Sequence, residues 1–421
     1  MQIPKDVALI LESLQFAGFS AFAVGGCVRN SLLGIPPQDW DVCTSARPEE
    51  IMEILQEYPV IPTGIDHGTV TVILNNVPIE VTTFRSDGDY PDGRHPESVS
   101  FLPTVQGDLE RRDFTVNAMA YSPETGIIDL FHGQEDLRRR CLRCVGNPDL
   151  RFREDALRIL RGLRFSVLYG LKPEPQTDAA LHRNAKRLWA VAQERIWMEL
   201  KQILAAESPG DVLVSYPEIA AVVLFPKELR VWERPGFSGA EWKRRMEALN
   251  LLPPVPAIRL ALLLRAAVFS RKEDDLDWGI ILRRLKLDNP TRKRTLRCLC
   301  AAEQELPKNL KETRILAGKW GAECFPDFLA MRQAELQAHA LTDGEQTVQL
   351  CRTADFFREI EERGLCCSIA ELAVAGKDLL ERGMKPGPQV GQALQKLLRL
   401  VVEEKLPNEK KALLNHLFSS I

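Results

Sequence analysis

The alternation of apolar and polar residues that marks a β-strand is confined to the first 140 or so residues of this 421-residue chain. Thr69 to Leu74 and Val77 to Phe84 alternate on either side of Asn75-Asn76, which predicts a hairpin. Ala21 to Val24 predicts a short apolar strand, and Gln38 to Cys43 a second one. Val7, Ile10, Leu11 and Leu14 stand at helical spacing ahead of Gly18. Cys27 to Leu33 predicts one short helix, stopped by Gly34 and Pro36-Pro37, and Pro48 suits the first turn of another. Beyond about residue 145 strand patterns vanish and helical periodicity runs to the C-terminus, broken at Pro253-Pro254, Asn289-Pro290 and Pro386-Gly387-Pro388. The pattern predicts an α+β chain: a small mixed-sheet head over 1–140, then helical regions over 141–205, 206–300 and 301–421.

The length suffices for several hydrophobic cores. The longest apolar runs, such as Ile258 to Val268, are interrupted by arginine and too short to span a bilayer. The first thirty residues carry Asp6 and Glu12 and no charged leader before an apolar block, which predicts a cytoplasmic protein. A net charge of −3 argues against coating nucleic acid through bulk positive charge. Basic residues do gather locally, at Arg138–Arg140 with Arg143, at Lys243–Arg245, and from Arg283 to Arg297. Ten cysteines include a single C-x-x-C, Cys141 to Cys144, so reduced and mostly buried thiols are expected rather than a zinc site.

Asp39-Trp40-Asp41 is the first candidate for chemistry. Residues two apart on a strand point to one face, so both carboxylates would project together. Like charges that close call for a cation, and all-oxygen ligands suit Mg²⁺. Upstream, Gly25-Gly26-Cys27-Val28-Arg29 lies between a strand and a helix, where bare backbone at Gly26 and a guanidinium at Arg29 suit a phosphate. A phosphate cradle followed by metal-binding aspartates is what in-line nucleotidyl transfer requires. Glu80, on the hairpin, is a candidate third carboxylate, with a solvent-facing strand residue as the equal alternative. In Asp149 to Tyr169, read as one helix, Ala156, Ile159, Leu160, Leu163 and Val167 share a face. Glu154, Arg158, Arg161 and Arg164 lie across the other, with Asp155 at its margin.

These segments resemble a known family. AVGGCVRNSLLG followed by DWDVCTSA is similar to the first motif of the polymerase-β-like superfamily, as found in class II tRNA nucleotidyltransferases. Arg111-Arg112-Asp113-Phe114-Thr115 through Ala120 resembles the second motif, and Asp129-Leu130-Phe131-His132-Gly133 the hinge between head and neck. Arg153-Glu154-Asp155-Ala156-Leu157-Arg158 resembles the base-reading E-D-x-x-R motif, and Glu194-Arg195-Ile196 the helix-stabilising motif. The resemblance implies a polymerase-β-like head with helical neck, body and tail, two Mg²⁺ ions on Asp39 and Asp41, and CTP and ATP as substrates. It also implies that Arg112, Arg161 and Arg164 help to hold the nucleotide while Asp155 and Arg158 read its base.

The base chemistry agrees. Cytosine and adenine both present an amino donor beside a ring-nitrogen acceptor, which a carboxylate and a guanidinium match, whereas uracil and guanine present the reverse. The expected activity is addition of CCA to the 3′ end of tRNA. Specialised CC- or A-adding enzymes and poly(A) polymerases share the motifs, and a non-catalytic RNA-binding protein on the same fold is the reading from another class. Thr63 to Thr69 lacks the arginine-rich stretch of bacterial poly(A) polymerases, and the Arg85 to Pro96 loop keeps the length expected for full CCA addition. Asn30 stands where the family usually has Asp. The tRNA is expected to lie on basic helix faces, with Arg283, Arg284, Arg292, Lys293, Arg294 and Lys385 as candidates.

Overall fold

The computed structural model describes residues 1–88, 98–229, 239–267, 277–302, 304–338 and 344–418. The chain forms two compact units, one of Met1–Glu207 with Ser215–Trp232, the other of Ser208–Val214 with Glu233–Ile421.

The first unit begins with α1 (Lys5–Phe16), β1 (Ala21–Val24), α2 (Gly26–Leu32), β2 (Asp41–Thr44) and α3 (Pro48–Ile54). There follow β3 (Val60–Gly64), β4 (Thr69–Leu74), β5 (Val77–Thr83), β6 (Arg85–Asp87), β7 (Val99–Phe101), α4 (Val105–Glu110), β8 (Ala120–Ser122) and β9 (Gly126–Ile128). Seven strands pair in the order β3-β4-β5-β2-β1-β8-β9, and only β2–β5 is parallel. The β4–β5 hairpin forms as its sequence predicts, with Asn75 and Asn76 both at positive φ (49° and 63°), as a two-residue type I′ turn demands.

Alternation along β2 divides the core. Val42 packs with Ile10, Leu11 and Ile51 on one face of the sheet. Cys43 packs with Phe22, Phe84 and Leu109 on the other. Asp41, in phase with Cys43, therefore projects from the second face.

Several elements differ from expectation. The strand read over Gln38–Cys43 begins at Asp41, because β1 is only four residues long and pairs Val24 with Asp41, leaving no partner for Asp39 and Trp40. β8 and β9 were not legible, since three-residue strands show no period, nor was β3, whose VIPTG carries a proline and no alternation of apolar and polar residues. The polar loop after Phe84 closes on itself through β6–β7, pairing Ser86 with Ser100. Residues 89–97, on which the loop-length expectation rests, lie outside the described residues.

The unit continues with α5 (Gly133–Arg138), β10 (Cys141–Leu142), α6 (Pro148–Glu154), α7 (Leu157–Tyr169), β11 (Lys172–Pro173), α8 (Pro175–Asn184) and α9 (Gln193–Ala205). β10 and β11 pair, so one short strand lies past residue 145. The single helix expected from Asp149 to Tyr169 is two, broken at Asp155 in extended backbone (φ −140°, ψ 106°). The Asp155 carboxylate accepts from the Leu157 N–H at 2.9 Å, the local bond by which Asp competes with a helix. Ile159, Leu160 and Leu163 of α7 are buried as their spacing requires.

The second unit is helical throughout its described residues. One core gathers Trp320, Phe325, Phe328 and Phe357, with the Phe325 and Phe357 rings 4.7 Å apart. Another gathers Leu379, Leu397, Val401 and Leu413. Among the described residues no helix is long and apolar enough to cross a membrane. All ten cysteines are free thiols, seven of them buried.

Candidate active site

Asp39 and Asp41 both expose their side chains, and neither carboxylate has a hydrogen-bond or ion-pair partner among the described residues. Glu80 on β5 pairs in register with Asp41, so their side chains leave the same face of the sheet. Partial burial against the sheet raises the Asp41 carboxyl above the usual range; nearby Arg112 opposes this, and the charges of Glu80 and Asp39 add to it. Such an acidic edge is relieved by a divalent cation. Among the described residues no three His, Cys, Asp or Glu side chains cluster as a complete metal site. Two carboxylates leave the rest of an octahedral shell to water and substrate oxygens, the usual manner of Mg²⁺ binding. The donor set therefore fits that ion.

Gly25 ends β1 at φ 78° and ψ −121°, a conformation that favours glycine. A Cβ there would sit 2.8 Å from Arg112 Nη1, so the guanidinium lies directly on bare backbone. At Gly26 a Cβ would meet only Arg29 Nη2, at 3.7 Å, an ordinary contact. Of the two glycines, the first is the one whose backbone angle and close neighbour require glycine.

Arg29 turns inward. It is 5% exposed and donates to Asn30 Oδ1 through Nε (3.1 Å) and Nη2 (2.9 Å), to Asn117 Oδ1, and to the Tyr169 hydroxyl at 2.8 Å. Its guanidinium lies over the Tyr169 and Phe165 rings, at 4.4 and 5.0 Å. Among the described residues no carboxylate pairs with it, and burial lowers its pKa from the ordinary arginine value. The Asn30 amide thus accepts two bonds from Arg29 without supplying a counter-charge.

The remaining arginines are held by acceptors. Arg112 donates Nε and Nη2 to Asp108 Oδ2 at 3.3 and 3.0 Å. Arg161 pairs with Asp113 at 2.7 Å, and Arg164 with Glu199 at 2.6 Å. Asp113 is buried, which would raise its carboxyl; Arg161, the Asn117 amide and Arg158 instead hold it far below the usual range. Arg158, 9% exposed, binds Glu154 and the carbonyls of Arg151 (3.1 Å) and Arg111 (3.0 Å). Asp155 accepts from Arg195 Nη2 at 2.7 Å.

The structure thus brings Asp39, Asp41, Glu80, Gly26, Arg29, Arg112, Asp155, Arg158, Arg161 and Arg164 into one unit. Asp108, Asn117, Tyr169, Arg195 and Glu199 were not singled out as site residues. For Asp108 a signal existed, since Asp-x-x-Arg-Arg places the acid at i,i+3 and i,i+4 from both bases. Asn117 also has a local partner, Asp113, at i,i+4, but its bond to Arg29 and the partners of Tyr169, Arg195 and Glu199 come through tertiary packing.

In the second unit Arg294 is engaged by Asp327 at 2.6 Å and Arg292 by Asn289 at 2.8 Å, whereas Arg283, Lys293 and Lys385 are exposed. Arg284 ends the same helix as Arg283, Trp278–Arg284.

Residues 21–143 match the poly A polymerase head domain, 170–214 the probable RNA- and SrmB-binding site of polymerase A, and 266–417 a tRNA nucleotidyltransferase domain 2. The CCA-adding enzyme of Geobacillus stearothermophilus is 36% identical over 415 residues, covering 98% of this chain and 96% of the relative. That of Limosilactobacillus fermentum is 34% identical, covering 96% and 94%. The crystal structure of the Bacillus stearothermophilus CCA-adding enzyme in complex with CTP superposes with a TM-score of 0.73 at 31% identity, covering 100% of this chain and 98% of that one. Thermotoga maritima CCA-adding enzyme complexed with tRNA shares the fold, with a TM-score of 0.66 at 19% identity, covering 100% and 97%. Near-complete coverage at these identities shows that the chain belongs to the family of CCA-adding enzymes, tRNA nucleotidyltransferases with a poly A polymerase head.

Proposed function

We propose that this protein adds CCA to the 3′ end of tRNA from CTP and ATP, releasing pyrophosphate, with a head over 1–140, a base-reading neck over 141–205, and a body (206–300) and tail (301–421) that hold the tRNA. The observation that carries this is the bond from Arg158 Nη2 to the carbonyl of Arg111. It ties the base-reading arginine to the segment whose next residue, Arg112, covers Gly25 and acts on Asp41.

Asp39 and Asp41 would hold Mg²⁺, which when bound favours loss of a proton from the 3′-hydroxyl and offsets charge at the α-phosphate. Arg112 presents Nη1 over Gly25, where it would meet a triphosphate that approaches the bare backbone. Arg161, held by Asp113, and Arg164, held by Glu199, would offer their remaining N–H donors on the neck side.

Asp155 has roughly four lone-pair positions. Two go to Leu157 N–H and Arg195 Nη2, and a longer contact of 3.4 Å from Arg195 Nη1 takes a third, leaving room for an amino group of C or A. Arg158 keeps Nε and part of Nη2 to donate to a ring nitrogen. A uracil or guanine would face Asp155 with a carbonyl and Arg158 with an N–H, leaving both unmatched.

The test supplies tRNA transcripts ending at the discriminator base, at C or at CC, with Mg²⁺ and each nucleotide triphosphate singly and in pairs. Extension by three, needing CTP then ATP and lost in Asp39→Ala and Asp41→Ala, is expected. Arrest after CC, addition of the last A alone, or long adenosine tails on any RNA would reassign the enzyme within its superfamily. No extension would overturn the catalytic reading.

A further inference from the structure

Asp108 is a completely buried carboxylate near the end of α4, and it faces two consecutive arginines. Arg111 donates Nε and Nη2 to its Oδ1, at 3.1 and 2.7 Å. Arg112 donates Nε and Nη2 to its Oδ2, at 3.3 and 3.0 Å. Each oxygen thus receives both hydrogens from one edge of one guanidinium. For Arg112 this occupies the whole inner edge and leaves Nη1, with its two hydrogens, as the outward arm. That arm is the one lying on Gly25.

An arginine side chain is rich in rotamer entropy, and a planar fork gripped along one edge has little of it left. A buried carboxylate is tolerated only where such partners satisfy it. Asp108 is satisfied, and the two guanidinium groups lower its carboxyl although burial opposes them. The single negative charge also leaves the pair of arginines with net positive charge, so Arg112 is oriented without being neutralised.

We propose that Asp108 is a positioning residue for nucleotide binding: by holding the inner edge of Arg112 it aims Nη1 over Gly25 at the triphosphate. The inference rests on the reading of Arg112 as a nucleotide ligand. Asp108 does not touch the base-reading pair, so it acts equally on both substrates. Its loss weakens binding of CTP and ATP by one common factor and leaves the choice of base alone.

The test is a double-mutant cycle on steady-state CTP and ATP addition by the full-length protein, with Asp108→Asn, Arg112→Lys and the combination. An amide can accept on one side only and presents N–H to the other arginine. Asp108→Asn is therefore expected to raise KM for CTP and ATP together by about tenfold, with kcat changed by less than about threefold and rejection of UTP unchanged. In the Arg112→Lys background the further rise in KM is expected to be under about twofold, because the residue that Asp108 acts through is gone. If Asp108→Asn unfolds, Asp108→Glu keeps the charge while displacing the fork, and the same common rise is expected.

An unchanged KM, a fall in kcat alone, unequal effects on CTP and ATP, or full additivity with Arg112→Lys would each overturn the proposal. If Arg112→Lys by itself leaves both KM values unchanged, it is the reading of Arg112 that fails, and the two failures are thereby separated.

Discussion

The acidic edge of the head and the arginine-rich neck treat charge in opposite ways. Among the described residues Asp39, Asp41 and Glu80 stand at the end of β2 and beside it with no cation paired to them; burial raises the Asp41 carboxyl, and the charges of Glu80 and Asp39 add to that against nearby Arg112. Arg158, Arg161 and Arg164 are each already bound to an acid, namely Glu154, Asp113 and Glu199. One region stores electrostatic repulsion that a bound divalent cation would relieve. The other is balanced before any substrate arrives, which fixes the side chains that, on the proposed reading, hold the nucleotide and read its base. Removing a charge should therefore help folding or leave it alone in the first region and harm folding in the second.

The largest expected effect breaks activity without breaking the fold. Asp39→Ala and Asp41→Ala should each lower nucleotide addition by on the order of a thousandfold, since metal charge stabilisation is worth several kcal/mol. The melting temperature should hold or rise. A melting temperature lowered by several degrees in Asp41→Ala would mean that the acidic edge contributes to folding, and the contrast would fall.

Next is the reverse case. Asp113→Asn leaves Arg161 without its carboxylate and should cost roughly 3 kcal/mol of stability, the low end for a buried pair because Arg161 keeps part of its hydration. Denaturant unfolding measures this. The pH dependence follows from the depressed carboxyls of Asp113 and Asp108. Below about pH 3.9, the ordinary aspartate value, the unfolded chain binds protons that the folded chain does not. Their contribution is therefore complete above that pH and is lost as pH falls through the folded values. Asp113→Asn should unfold with a shallower dependence on pH in this window, and an unchanged slope would remove Asp113 from the account.

A smaller effect sharpens the contrast within the neck. Asp155→Asn can turn an N–H toward the base, so incorporation of UTP relative to CTP should rise by roughly 10- to 100-fold, matching about 1–3 kcal/mol of discrimination. Competition assays on a tRNA lacking CCA would read it, and unchanged selectivity would mean that Asp155 does not read the base.

The smallest effect carries the same distinction to the helical unit. Arg283→Ala and Lys293→Ala, on exposed side chains, should each reduce the salt slope of tRNA binding by about one. Arg294→Ala should lower thermal stability and leave the slope nearly unchanged, since Asp327 already holds that guanidinium. Equal slopes for all three would erase the difference between paired and unpaired bases.

Much of this was legible because it is local. The Asn75-Asn76 turn, the phase of Asp41 on its strand and the apolar face of α7 each follow from residues within one helical turn or one hairpin, where spacing alone fixes geometry. The start of β2 was misplaced because strand length depends on a partner, and β1 supplies only four residues. The break at Asp155 was missed because a single side chain bonding the Leu157 N–H outweighed a good helical pattern.

By itself the sequence determined the division into a mixed-sheet head and a helical remainder, the family, and the charged residues that are candidates for its chemistry. Those depend on residue type and short spacing. Only the tertiary structure decided that Gly25 rather than Gly26 bears Arg112, that Arg29 turns in toward Tyr169, and that Arg161, Arg164 and Arg195 are held by Asp113, Glu199 and Asp155. Such pairings join residues up to 140 positions apart, as Arg29 and Tyr169 are. Their geometry is set by how sheet and helices pack, which no local pattern encodes.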